Sequence, residues 1–257
     1  MIPCRRLTSP TLSSNIREAM DDGLREDQLK KRTADAVAKV IQPYITLLSE
    51  NLDRISNLVD IYFSQTAENT NDRCQDILRG AVVLMHATLE DELRTLGANI
   101  LPKADEGALN DIPLKGITPA GRPEKFYLGT LAKHRGKTVD EVIAESVMSH
   151  LGRSNFNNVQ DVVGYLRILG LNASEYEEYY PKLESMMARR HQIVHCGDRR
   201  GLSGQELAVV QPMVAQEVLE WMRATSSFLS KVIPDGIMKS RTASEWATEI
   251  GVQLRDP

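Results

Sequence analysis

The most regular hydrophobic pattern runs from Ile41 to Tyr62, where Ile41, Ile45, Leu48, Leu52, Ile55, Val59 and Tyr62 follow one another at alternating spacings of four and three. A repeat averaging 3.5 residues is the seam of a bundle helix or a short coiled coil. It predicts a helix packed within a bundle, or against the same helix of a second subunit. Upstream, from Leu12 to Gln42, a charged and helix-prone segment carries Ile16, Met20, Leu24, Val37 and Val40 on an intermittent stripe. Pro43 should end or kink that helix, because proline lacks the N–H and clashes with the preceding turn.

Glu68–Asp72 is a polar break with cap-forming residues, and a long helix is predicted from Asp72 to Ile100, burying Ile77, Val82, Met85, Leu89, Leu93, Leu96 and Ile100. On it, Glu90 lies four residues from both His86 and Arg94, so the three share a face. They read either as a solvated charge pair or as part of a site. Residues 102–123 are rich in Gly, Pro, Asp and Asn and read as a long loop. Thr138 and Glu141 form a capping box ahead of a helix carrying Val142, Ile143, Val147, Met148 and Leu151. Asn158 caps a shorter helix that Gly170 ends, and Pro181 suits the first turn of the next. A last major helix should start near Pro212, with Val214, Val218, Leu219, Met222, Phe228, Leu229 and Val232 on its stripe, and stop at Pro234-Asp235-Gly236. Residues 244–252 are expected to form a short terminal helix.

No alternating strand pattern, internal repeat or low-complexity tract occurs, so the expected fold is all-α, an up-and-down helical bundle with an N-terminal helical extension. The expected division is a flexible tail over 1–11, the extension over 12–68, the bundle over 69–235, and a short helix and tail over 236–257. Composition agrees with helices: aromatic residues are only 5% while hydrophobics are 42% of the chain. A net charge of -4 argues against a protein that coats nucleic acid nonspecifically, though not against a local basic cleft. Cys4, Cys74 and Cys196 are widely spaced and make no C-x-x-C pair. No apolar run approaches the roughly 18 residues of a membrane span, and the first ten residues lack a signal-peptide core. A cytoplasmic protein without membrane attachment is expected.

One stretch holds more chemistry than folding requires: Met186-Met187-Ala188-Arg189-Arg190-His191-Gln192-Ile193-Val194-His195-Cys196-Gly197-Asp198. Leu183, Met186, Met187, Ile193 and Val194 supply a buried stripe, and Gly197 is a natural helix stop. Arg189, Arg190 and a protonated His195 then lie near the negative end of the helix dipole, each contributing about 0.3–1 kcal/mol if exposed. Ordinary helix-end chemistry is therefore one reading of the cluster.

Other chemistries fit less well. Neither G-x-x-x-x-G-K-[ST] nor G-x-G-x-x-G occurs, which removes the usual phosphate loops. Cys196 follows His195 directly, and helix neighbours point about 100° apart, an awkward nucleophile–base pair. His191 and His195, at i and i+4, have zinc-protease spacing, but Glu does not follow the first His and no third ligand lies nearby. His86, Glu90 or His150 would have to be brought in by the fold. Phosphodiester chemistry on RNA needs a group that takes and gives protons near neutrality and a bidentate phosphate grip, and His195, His191 and Arg190 supply both.

Arg190-His191-Gln192-Ile193-Val194-His195 resembles the signature of the HEPN superfamily: arginine, a polar residue, three variable residues and histidine, late in a helix of an all-α bundle. The continuation to Asp198 is similar to the RiboL-PSP group, and Leu84–Leu93 is similar to the family's acidic N-terminal helix. The resemblance spans about residues 70–232 and leaves 12–68 outside the shared core. It implies a homodimer with two motifs in one composite cleft and metal-independent endoribonuclease activity without a cofactor, leaving 2′,3′-cyclic phosphate ends. The setting it implies is a toxin or antiviral-defence effector, with a cognate antitoxin or regulatory protein as a partner. Under it, Arg190 stabilises the phosphate, His195 is the acid/base group and His191 assists, with Glu90 and Arg189 in support. Asp91 and Glu92 compete for the role of Glu90. A noncatalytic RNA- or protein-binding module of the same fold is the alternative.

Overall fold

The computed structural model describes residues 10–66, 74–115, 128–200 and 209–251. Its helices are α1 (Pro10–Thr66), α2 (Gln75–Ile100), α3 (Glu106–Leu109), α4 (Val139–Leu151), α5 (Val159–Ile168), α6 (Tyr180–Cys196), α7 (Ala215–Ser240) and α8 (Ala243–Ile250). The strands β1 (Arg199–Arg200) and β2 (Val209–Val210) form a minimal antiparallel pair, and apart from it the regular elements among the described residues are helical, an all-α bundle. Among the described residues, no helix is long and apolar enough to cross a membrane.

The chain divides into two compact units, Met1–Pro43 with Arg241–Pro257, and Tyr44–Ser240. In the larger unit α2 packs against α7, α6 and α4. Its buried face is Leu78, Ala81, Val82, Met85, Leu89, Leu93, Leu96 and Ile100. The predicted stripe was nearly this set, with Ile77 only half-buried. Each such leucine removed from water contributes about 1.5–3 kcal/mol, so this helix carries much of the bundle's stability. Leu48, Ile55 and Val59 of α1 are buried, while Leu52 and Tyr62 of the same seam are half-buried. Phe156 and Tyr165 meet edge to face at 4.9 Å, and Trp221 of α7 donates to the Ser185 hydroxyl of α6 at 2.7 Å.

In the smaller unit, Thr242 and Glu245 form a capping box that starts α8. Lys39 pairs with Glu249 at 3.3 Å, and the Arg241 guanidinium lies 5.2 Å from the centre of the Trp246 ring.

Local signals held where capping is local. Thr138 and Glu141 form the expected box, Asn158 caps α5, and Pro181 lies in the first turn of α6. Pro234 was expected to stop its helix and Pro43 to end or kink its own, and neither ends a helix. α1 continues through Pro43, losing the one hydrogen bond that proline cannot donate while helix formers on both sides keep the turn. α7 continues through Pro234 to Ser240, because Ile233 and Ile237 are buried and Gly236 is seated against Leu96 and Ile100. That helix starts at Ala215, leaving Val214 exposed, and Met148 of α4 is also exposed rather than on the buried stripe. The predicted break at Glu68–Asp72 lies outside the described residues, as do residues 1–9 of the predicted tail and the later part of the long loop.

Candidate active site

α6 begins as a core helix, with Leu183, Met186 and Met187 buried. The stripe then turns polar, since Arg190 occupies the next inward position and is half-buried. Its Nε is enclosed and has no hydrogen-bond partner among the described residues. From His191 to Gly197 only Ile193 is half-buried and the rest are exposed, so Val194, expected in the core, is 48% exposed. The helix outruns its core by nearly two turns.

On that projecting end the i, i+4 spacing brings His191 and His195 together, their ring centroids 4.5 Å apart and tilted by 43°. Both rings reach solvent. Gly197 then takes a left-handed conformation (φ 57°) and its N–H caps the Gln192 carbonyl. Asp198 is also left-handed (φ 58°), unusual for a residue with a Cβ.

The face of His86, Glu90 and Arg94 on α2 is an anchor rather than a solvated pair. The His86 Nε2–H donates to the Phe156 carbonyl at 2.9 Å, and Glu90 Oε1 accepts from the Phe156 N–H at 3.2 Å. Glu90 Oε2 accepts from Arg94 at 3.2 Å, and Arg94 also donates to the Ser154 carbonyl. Together these bonds fasten the segment before α5 onto α2. Burial holds the His86 imidazole below its ordinary range, and the nearby Arg190 guanidinium adds to this, while the Phe156 bond and Glu90 oppose it. Arg190 of α6 and His86 of α2 thus share one electrostatic neighbourhood.

Asp91 is exposed, but Glu92 is fully buried and neither carboxylate oxygen has a well-formed hydrogen bond among the described residues. Burial and Asp91 push its carboxyl up to about 7, against the Asn51 side chain beside it. Arg189 points away from the histidine pair into a buried ion pair, donating to Asp198 Oδ2 at 2.9 Å and to the Pro212 carbonyl at 2.9 Å. The same Asp198 oxygen accepts from Arg79 Nε at 2.7 Å.

From the sequence alone, Arg79 is given no role, and Gly197-Asp198 is taken as a helix stop and as part of the family resemblance, with no side-chain role for Asp198. The available signal was an acidic residue at the negative end of a helix, where a carboxylate is disfavoured unless paired. Among the described residues no group of three or more His, Cys, Asp or Glu side chains is arranged to hold a metal ion.

An all-α bundle whose late helix ends in an Arg-x4-His motif defines the class. Compared with family models, the chain matches the RiboL-PSP-HEPN family over residues 47–211, well over half its length. It belongs to that family. The match takes in the later part of α1, which the resemblance had left outside the shared core, and extends through the motif to Gln211. Membership supports a general RNA-binding or nuclease-associated role. No curated protein and no solved structure matches the chain.

Proposed function

We propose that the protein is a metal-independent HEPN-type endoribonuclease that works as a homodimer, with two copies of the motif facing one cleft. The observation that carries this reading is the exposed His191–His195 pair on the projecting end of α6, next to Arg190. Two imidazoles within reach of one phosphodiester suit a reaction that needs one proton removed and another supplied.

The 2′-hydroxyl gives up its proton to a His195 imidazole and its oxygen attacks the adjacent phosphorus. The bond from phosphorus to the 5′-oxygen breaks, and that oxygen takes a proton from an imidazolium. The products are a 2′,3′-cyclic phosphate and a 5′-hydroxyl. Arg190 carries the charge that develops on the phosphoryl oxygens, and a guanidinium suits this because it donates in a planar fork. His191 orients or assists His195.

Arg189 and Glu90 support the site through the scaffold, Arg189 by its bond to Asp198 and Glu90 by fixing the segment before α5. Exposed Val194 on α6 and exposed Val209 and Val210 on β2 provide apolar surface that a second copy would cover. A toxin or antiviral-defence role, restrained by an antitoxin or regulatory partner, fits a nuclease whose histidines reach solvent. The test is cleavage of total RNA in EDTA by the purified protein. General acid–base catalysis contributes about 10²–10⁴-fold, so His195→Ala should lose at least about 100-fold while keeping its fold. Equal cleavage by the variant would refute the reading, and a folded chain that binds RNA without cutting would establish the noncatalytic module instead.

A further inference from the structure

Asp198 lies three residues beyond His195, is fully buried, and joins three parts of the bundle. Its Oδ2 accepts from Arg79 of α2 at 2.7 Å and from Arg189 of α6 at 2.9 Å. Its backbone N–H donates to the Gln192 carbonyl at 3.0 Å, inside the Arg-x4-His motif, and its carbonyl accepts from the Gln211 N–H at 2.8 Å. The Gln211 side chain then donates to the Gln192 side chain at 3.0 Å, and the Gln211 carbonyl accepts from both arginines. The motif is therefore held from behind at Gln192, between the two histidines.

The last turns of α6 need such a hold. Apart from half-buried Ile193, no residue from His191 to Gly197 is held by core packing. Helix ends without packing fray readily. Two consecutive left-handed residues end the helix, and the second, Asp198, tolerates that conformation less readily than glycine. The hydrogen bonds made by its side chain and backbone over-determine it, as expected for backbone strain kept at a working site.

We propose that Asp198 and Arg79 are positioning residues, a buried clamp that fixes the end of α6 so that His195 is presented in the geometry the reaction requires. This rests on the ribonuclease reading for its catalytic consequence, but not for its structural one. Arg79 acts from α2 and its hydrogen bonds among the described residues go to Asp198, Gln211 and Asp76 rather than to the motif, so its effect passes through Asp198 and Gln211.

The experiment compares Asp198→Asn, Arg79→Met and Arg79→Lys with the parent and with His195→Ala, all well below their melting temperatures. One readout is kcat and KM for RNA cleavage. The other is the nuclear Overhauser contact between the His191 and His195 imidazoles, which does not depend on activity. Misplacement by about 1 Å costs up to about 100-fold, so Asp198→Asn and Arg79→Met should lose roughly 10–100-fold in kcat with KM within about threefold. Both should weaken the imidazole contact, and Arg79→Lys, keeping the charge, should recover part of each effect. Unchanged kcat and an unchanged contact in folded Asp198→Asn and Arg79→Met would overturn the proposal and leave the clamp as a stability element only. A weakened contact in a chain whose parent cuts no RNA would uphold the positioning and overturn the ribonuclease reading.

Discussion

The Tyr165 hydroxyl occupies the space above Gly97: it donates to the Leu93 carbonyl at 3.1 Å, and a Cβ built on Gly97 would fall 1.7 Å from it. α5 therefore approaches α2 closely only because position 97 has no side chain. Alanine is the better helix former by about 1 kcal/mol, but forcing a methyl into a packed contact costs typically 1–3 kcal/mol and here meets a ring that is itself buried. Gly97→Ala should lower stability by about 1–3 kcal/mol in denaturant unfolding. Tyr165→Phe in the same background should recover part of the loss, and additive effects of the two changes would contradict the contact.

The clamp at Asp198 also has a stability consequence. Removing one member of a buried ion pair leaves the other unpaired, at about 3–5 kcal/mol, and here two guanidiniums would lose their shared carboxylate. Asp198→Ala should thus be among the most destabilising single changes in the molecule. Asp76→Ala, which removes only an exposed partner of Arg79 at 3.0 Å, should cost less than about 1 kcal/mol. Equal losses in thermal melts would show that the buried carboxylate is not the anchor.

Glu92 predicts a pH dependence of opposite sign to that of a paired carboxylate. Its carboxyl is pushed up to about 7 in the folded protein from an ordinary 4.5, so between those values the native state holds a proton that the unfolded chain has released. Its contribution is fully present below pH 4.5 and is lost as pH rises through about 7, a difference on the order of 3 kcal/mol. Glu92→Gln should be more stable than the parent at pH 8 and should remove this slope. Parallel stability curves for the two proteins between pH 5 and 8 would refute it.

The contrast between Thr138 and Asp198 shows what could be read in the sequence. Thr138 caps α4 with a partner three residues away, so four letters of sequence hold the whole interaction. Asp198 pairs with Arg189 nearby but also with Arg79, 119 residues earlier, and no local pattern announces that second partner. Pro234 fails as a stop for the related reason that the burial of Ile233 and Ile237 outweighs a local penalty, whereas at Pro43 helix formers on both sides carry the helix through. His191 and His195 were legible as a pair because one helical turn joins them, whereas the exposure of Val194 follows from where the core ends.

The most direct test of the central claim is the chemical identity of the ends made when the purified protein cuts a defined RNA in metal-free buffer. Proton transfer by His195 with phosphate held by Arg190 predicts 2′,3′-cyclic phosphate and 5′-hydroxyl ends, absent with His195→Ala and with Arg190→Ala. Products with 3′-hydroxyl and 5′-phosphate ends, or the same cyclic ends from both variants, would contradict it.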